Sequence, residues 1–232
     1  MKKRIIVAGA GFAGMWAAIS AARLVHLNNA DDRVDIFLVS PEPKLTIRPR
    51  LYEAVLESMD PSILEVLQAA NVKYIRGRVV DIDAKNKTIT VSKPEEETTV
   101  SFDSFVLAAG SQVFHPQLDG LKEYSFDVSS LEKARELDNH LQALASAPDS
   151  QARNTVVVAG GGLTGLETVT EMPERLNALF GAQNKAQVII VDNAAKIGQA
   201  MGEQACEIIN QALSSSGIAV RTGVRVSTIS AD

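Results

Sequence analysis

The sequence predicts an α/β chain with two similar βαβ units, the first carrying a small antiparallel β-meander. Three observations lead there. A short apolar run enters a glycine turn and then a helix-forming stretch twice, with turns at Gly9-Ala10-Gly11-Phe12-Ala13-Gly14 and Gly160-Gly161-Gly162-Leu163-Thr164-Gly165. The two copies keep the same pace: Gly14 to Ser40 spans 26 positions and Gly165 to Asp192 spans 27, each ending just past a second apolar run. Between them, three short segments alternate apolar and polar residues, the pattern of half-buried strands.

Taken in order, Ile5–Ala8 is the first strand, and a helix rich in small residues follows the turn to about Val25. The strand Val34–Val39 ends at the breaker Ser40-Pro41, and Val72–Ile75 adds another strand to the first sheet. Arg78–Asp83, Lys87–Ser92 and Thr98–Phe102 form the meander, with turns at Lys85-Asn86 and over Pro94 to Glu97. Phe105–Ala109 is a buried strand ending in Gly110-Ser111. A helix starts at Ser129, where Ser-Ser-Leu-Glu reads as a capping box closed by Glu132, and runs toward Ala147. The linker falls at 146–150, dividing the chain into 1–147 and 148–232. The second unit then has the strand Thr155–Ala159, a helix from the turn, the strand Gln187–Val191, a helix bearing Cys206 and a hairpin-like stretch over Gly217 to Ser230. Pro173 is expected to interrupt the helix near Met172.

Composition narrows the function. With 46% apolar and 22% charged residues, the 232-residue chain has ordinary globular make-up. Its net charge of −5 makes it a poor nucleic-acid binder. Three His and one Cys leave no material for a zinc cluster or an internal disulfide, so no metal is expected. The basic residues Lys2 to Arg4 precede an apolar run, but glycines break it and no cleavage site follows. The longest uncharged stretch, between Arg4 and Arg23, is broken by Gly9, Gly11 and Gly14, so no membrane-spanning helix is expected. The expectation is a cytoplasmic chain.

G-x-G-x-x-G after a strand and before a helix is a Rossmann-like dinucleotide fingerprint. Its first glycine turns the chain, the second admits a pyrophosphate, and the third lets helix and strand pack closely. The residue closing the second strand chooses the ribose contact. Asp192 accepts from a 2′-hydroxyl and repels a 2′-phosphate, which favours NAD over NADP. In the first unit that position is Ser40, with Glu42 two residues on as a substitute. Two such sites suit an enzyme passing reducing equivalents between a nicotinamide and a flavin.

These residues resemble the two-dinucleotide-binding flavoproteins of the pyridine nucleotide–disulfide oxidoreductase superfamily, and the resemblance covers essentially the whole chain. Ile5–Gly14 is similar to the FAD fingerprint. Gly77–Asp83 is similar to the strand that borders the flavin adenine, which implicates Val79 and Val80. Phe102–Ser111 is similar to the motif that crosses back beside FAD, which implicates Ala108, Ala109 and Gly110, with Ala109 standing where Thr is more usual. Val156–Glu167 is similar to the NAD fingerprint. No Cys lies between Ser40 and Tyr52, which sets aside the thiol-using subfamilies, sulfide:quinone oxidoreductases included. The segment Leu45-Thr46-Ile47-Arg48-Pro49-Arg50-Leu51-Tyr52-Glu53-Ala54 resembles the loop of type II NADH:quinone oxidoreductases near the FAD phosphates. It implicates Arg48, although a surface Arg would satisfy the same pattern, while Ser40 and Pro41 are implicated as FAD contacts by their place at the end of the second strand.

The resemblance implies FAD and NAD(H) as cofactors and a quinone as electron acceptor; a reductase of a small redox protein and a non-catalytic dinucleotide-binding module are the alternatives. Glu167 is the implied catalytic residue, positioning nicotinamide and handling protons near the quinone. A first-turn Glu complementing the helix dipole is its plainer reading. Members of this superfamily continue past their NAD unit with a returning flavin-binding segment, an interface domain and, in type II enzymes, membrane-binding helices. The chain is therefore expected to be a C-terminally truncated portion, with a naturally shortened relative that has lost function as the alternative. Alone it should bind FAD weakly, self-associate (a homodimer in the simplest case) and reach the membrane only through that absent region. The full-length relative would lie on the cytoplasmic face.

Overall fold

Apolar β-branched runs bounded by Gly, Pro and Asn favour short parallel strands, and the fold follows them, with Lys3–Ala8, Val34–Ser40 and Gln187–Val191 the buried ones. A computed structural model describes residues 2–181 and 186–231. In chain order the first part holds β1 (Lys3–Ala8), α1 (Phe12–Leu27), β2 (Val34–Ser40), α2 (Leu64–Ala69), β3 (Lys73–Arg76), β4 (Arg78–Asp83), β5 (Thr88–Ser92), β6 (Glu97–Ser101) and β7 (Ser104–Leu107). The second holds α3 (Leu121–Tyr124), α4 (Leu131–Leu144), β8 (Thr155–Ala159), α5 (Leu163–Phe180), β9 (Gln187–Val191), α6 (Glu203–Ser215) and β10 (Ala219–Arg221).

Packing divides the chain into two units. One comprises 1–47 with 58–112, the other 48–57 with 113–232. The seam read from the sequence at 147/148 lies elsewhere because α4 packs with the second unit. Its Leu141 joins Val169, Met172, Leu176, Ile190 and Leu213 in that unit's core.

The first unit is a parallel sheet in the order β3-β2-β1-β7, with β4-β5-β6 as a separate antiparallel sheet. Val7, Ala18, Leu38 and Leu67 form the core on the α1 side. Ile6 and Val39 point the other way and meet Ile89 and Val91 of the meander. Alternation along β1 and β2 thus feeds two cores at once. The second unit is a parallel sheet in the order β10-β9-β8. Among the described residues, no helix is long and apolar enough to cross a membrane.

Three local expectations need correction. The N-cap of α4 is Ser130, whose hydroxyl accepts from the Lys133 N–H at 3.3 Å. Glu132 therefore falls in the first turn, where it opposes the helix dipole's positive end, instead of closing a box with Ser129. Pro173 does not interrupt α5, which runs unbroken from Leu163 to Phe180. Val169, Met172 and Leu176 are buried on either side of it, and this packing holds the helix through the missing hydrogen bond. The stretch 217–230 is not a hairpin, because β10 pairs in parallel with β9 and the residues after it form no strand. Gly223 and Val224 instead donate to Ala194 and Asp192 carbonyls, folding the chain across the end of β9.

Candidate functional site

The two glycine turns are near copies in three dimensions. The Gly9 N–H donates to the Val39 carbonyl at 2.8 Å, and the Gly160 N–H donates to the Val191 carbonyl at 2.8 Å. Gly9 and Gly160 both take positive φ, +115° and +111°, which a side chain would strain. A Cβ on Gly14 would overlap the Gly9 carbonyl, and one on Gly165 would overlap the Gly160 carbonyl. The third glycine in each turn therefore lets helix and strand close on each other.

The middle glycines behave oppositely. Gly11 and Gly162 are the N-caps of α1 and α5, with φ/ψ of −69°/178° and −74°/177°, and neither helix has a side-chain cap. A Cβ on either would meet nothing within 4 Å. The first-turn N–H groups at Phe12, Ala13 and Gly14 and at Leu163, Thr164 and Gly165 thus face open space at a positive helix end. Ala10 is buried below the first turn. Both turns fit a dinucleotide pyrophosphate on geometry as well as on sequence.

Other implicated residues gather around the first turn. The Ala108 N–H donates to the Ala8 carbonyl at 2.8 Å, and the Ala108 carbonyl lies where a Gly9 side chain would be. Ala109 and Gly110, the latter at φ +73°, follow directly. Ser40 ends β2 as expected but is buried, and its hydroxyl donates to the Glu42 carbonyl at 2.6 Å. Pro41 and Glu42 beside it are exposed. On the meander, the register slips between Val79 and Asp81, so Val80 is bulged out of the ladder and exposed. Arg48 belongs instead to the segment 48–57, which packs with the second unit.

At the second turn Asp192 is already occupied by the protein's own backbone. One carboxylate oxygen accepts from the Ala194 N–H at 2.6 Å, and the other accepts from the Gly161 N–H. An open cleft of about 260 Å³ lies beside it, lined by Gly160, Asp192, Asn193, Val224 and Arg225. Arg225, which lies in the irregular stretch after β10, was not singled out from the sequence, and no local signal marks it.

Glu167 lies half-buried in the first turns of α5. It has company that sequence reading did not supply. Glu171 and Arg175 follow at intervals of four, so all three share one face of the helix. Tyr52 is held in the same unit, and its phenol pKa is raised by burial first and then by the charges of Glu167, Glu53 and Glu171. Among the described residues, no cluster of three or more His, Cys, Asp or Glu could hold a metal ion, and Cys206 is free and buried.

Relatives share this chain almost end to end. A NADH dehydrogenase-like protein of Mycobacterium tuberculosis is 43% identical over 98% of this chain and 57% of its own length. The demethylphylloquinone reductase of Synechocystis is 28% identical over 99% of this chain and 56% of its own. The chain thus spans a little over half the length of these curated relatives. Among solved structures, NDH2 from Plasmodium falciparum in complex with NADH superposes with a TM-score of 0.81 at 19% identity, over 99% of this chain and 50% of that one. Pyridine nucleotide-disulphide oxidoreductases match over residues 3–232, and with both glycine turns in place the chain belongs to that family.

Proposed function

We propose that this chain carries the FAD and NADH sites of an oxidoreductase that takes reducing equivalents from NADH and delivers them to a quinone. The duplicated turn is the observation that supports this most directly. Two glycine N-caps with matching backbone angles leave two helix N-termini free to receive two pyrophosphates. A flavin, when bound, supplies the chemistry that accepts two electrons from nicotinamide and passes them on.

The chain's own residues do the rest. In the first unit Gly9–Gly14 would hold the FAD pyrophosphate through the N–H groups of Phe12, Ala13 and Gly14. Ala108 to Gly110 and the bulged Val80 present backbone groups beside it. In the second unit Gly160–Gly165 would hold the NADH pyrophosphate, with Asp192 at the adenosine ribose favouring a 2′-hydroxyl. Glu167 sits near the start of α5, where its carboxylate can orient nicotinamide and hold or release a proton. The quinone assignment draws on the Synechocystis relative, a quinone reductase by name.

The test is reconstitution of the 232-residue chain and of a full-length relative with FAD, followed by anaerobic NADH titration. Loss of the yellow flavin absorbance, then its recovery on adding a soluble quinone, is the expected result. Reoxidation by a ferredoxin but not by quinones would overturn the acceptor assignment. Failure of the full-length protein to retain FAD would overturn the whole reading.

A further inference from the structure

Two opposite charges line the cleft beside the second glycine turn, and only one of them is already engaged. Asp192 holds the Gly161 and Ala194 N–H groups, one with each carboxylate oxygen. Arg225 lines the same cleft of about 260 Å³. It is exposed, and among the described residues nothing pairs with its guanidinium.

An exposed Arg is most often a solvated surface residue. Arg225 differs in how firmly its backbone is placed. Three bonds tie the chain just before it to the end of β9. The Asp192 N–H donates to the Arg221 carbonyl at 2.9 Å, and the Gly223 N–H donates to the Ala194 carbonyl at 2.8 Å. The third runs from the Val224 N–H to the Asp192 carbonyl at 3.0 Å. The residue next to Arg225 is thus bonded to Asp192 itself. A long side chain set there, with no partner to leave, is free to turn onto whatever occupies the cleft.

The two charges differ in what they offer a ribose. A 2′-hydroxyl finds its acceptor in Asp192. A 2′-phosphate meets a carboxylate whose charge is already shared with two N–H donors, and it has a free guanidinium within the same cleft. Guanidinium binds phosphate with paired donors, and here no ion pair must break first. We propose that Arg225 is a second specificity residue, receiving the 2′-phosphate of NADPH, so that the site takes NADPH as well as NADH while Asp192 keeps NADH preferred. This rests on the reading of the second turn as a dinucleotide site, and the experiment separates the two.

Calorimetric titration of the full 232-residue chain with NAD+ and with NADP+ is that experiment. The two nucleotides differ only in the 2′-phosphate, and as oxidised forms they leave any bound flavin unreduced. In the unaltered chain NAD+ is expected to bind more tightly, with NADP+ binding still measurable. Arg225→Gln should weaken NADP+ binding by about tenfold and NAD+ binding by no more than about twofold. Arg225 lies outside every strand and helix, so the variant should fold as the parent does, which circular dichroism checks. Unchanged NADP+ affinity in Arg225→Gln, or equal losses for both nucleotides, would overturn the proposal. An unaltered chain that binds NAD+ but not NADP+ would overturn it too, and would leave the dinucleotide reading standing. Binding of neither nucleotide would overturn that reading, and the proposal with it.

Discussion

Asp192 accepts the N–H of Gly161, so the residue that ends β9 holds the glycine turn that ends β8. A second bond, from the Ala194 N–H, ties the same carboxylate to the chain leaving β9. Asp192 is therefore a fixed acceptor, set in place before any ribose arrives, and its oxygens keep lone pairs for a hydroxyl. Two effects should separate on substitution. Asp192→Ala removes two charge-assisted bonds and should cost the second unit about 2–4 kcal/mol in denaturant unfolding, discounted for partial exposure. Asp192→Arg in a full-length protein should lower the ratio of NADH to NADPH kcat/KM. An unchanged ratio would show that Asp192 serves the turn alone.

The glycines of the first turn yield a paired prediction. A Cβ at Gly11 meets nothing within 4 Å, so Gly11→Val should leave the unfolding midpoint nearly unmoved while abolishing FAD binding. A side chain at Gly14 would run into the Gly9 carbonyl, which is backbone and cannot swing aside. Gly14→Ala should therefore destabilise the first unit by about 2 kcal/mol or more. Flavin content after denaturation and circular dichroism melts measure the two. Equal melting losses in both variants would contradict the separation of roles.

Much of this was legible in the sequence because the signals were local. β8 and β9 fall on the expected residues, since each is an uninterrupted β-branched run with a breaker at its end. The two turns were recognisable because their spacing encodes a physical requirement at each glycine. The α4 cap was misplaced by one residue because two serines stand side by side, and only backbone geometry shows that Ser130 bonds Lys133. The stretch 217–230 was misread because alternation does not reveal whether a strand's partner is parallel. Arg175 was invisible for a different reason. Its partners lie 37 and 123 residues away, and nothing in a single sequence marks such a pairing.

In the first unit, acid should find Asp35. The carboxylate on β2 pairs with Lys73 Nζ at 3.0 Å and Lys2 Nζ at 3.5 Å. The hydrogen bond from Lys73 holds its pKa below the ordinary aspartate value, against the opposing effect of burial, with the charges of Lys73 and Lys2 adding to it. A depressed folded pKa means the unfolded chain binds the proton first. Stability from this site is thus present above the ordinary aspartate pKa and is lost as pH falls through the folded one. Asp35→Asn should flatten the acid limb of the stability–pH curve and leave β2 and β3 paired. Identical acid limbs would show that the pair contributes nothing to stability.

Pro173 supplies the last prediction. Inside α5 it has no N–H to give, and the donor it lacks is the one that the Val169 carbonyl would use four residues back. Val169 is fully buried, so water cannot readily take the donor's place. Pro173→Ala restores the donor and removes the ring's clash with that turn. Against this gain of up to about 3 kcal/mol stands the extra freedom of the unfolded chain, about 0.4–1 kcal/mol. The variant should therefore stabilise the second unit by about 1–2 kcal/mol, read as a higher denaturant midpoint with an unchanged slope. A variant that is no more stable would mean that the Val169 carbonyl already has a partner.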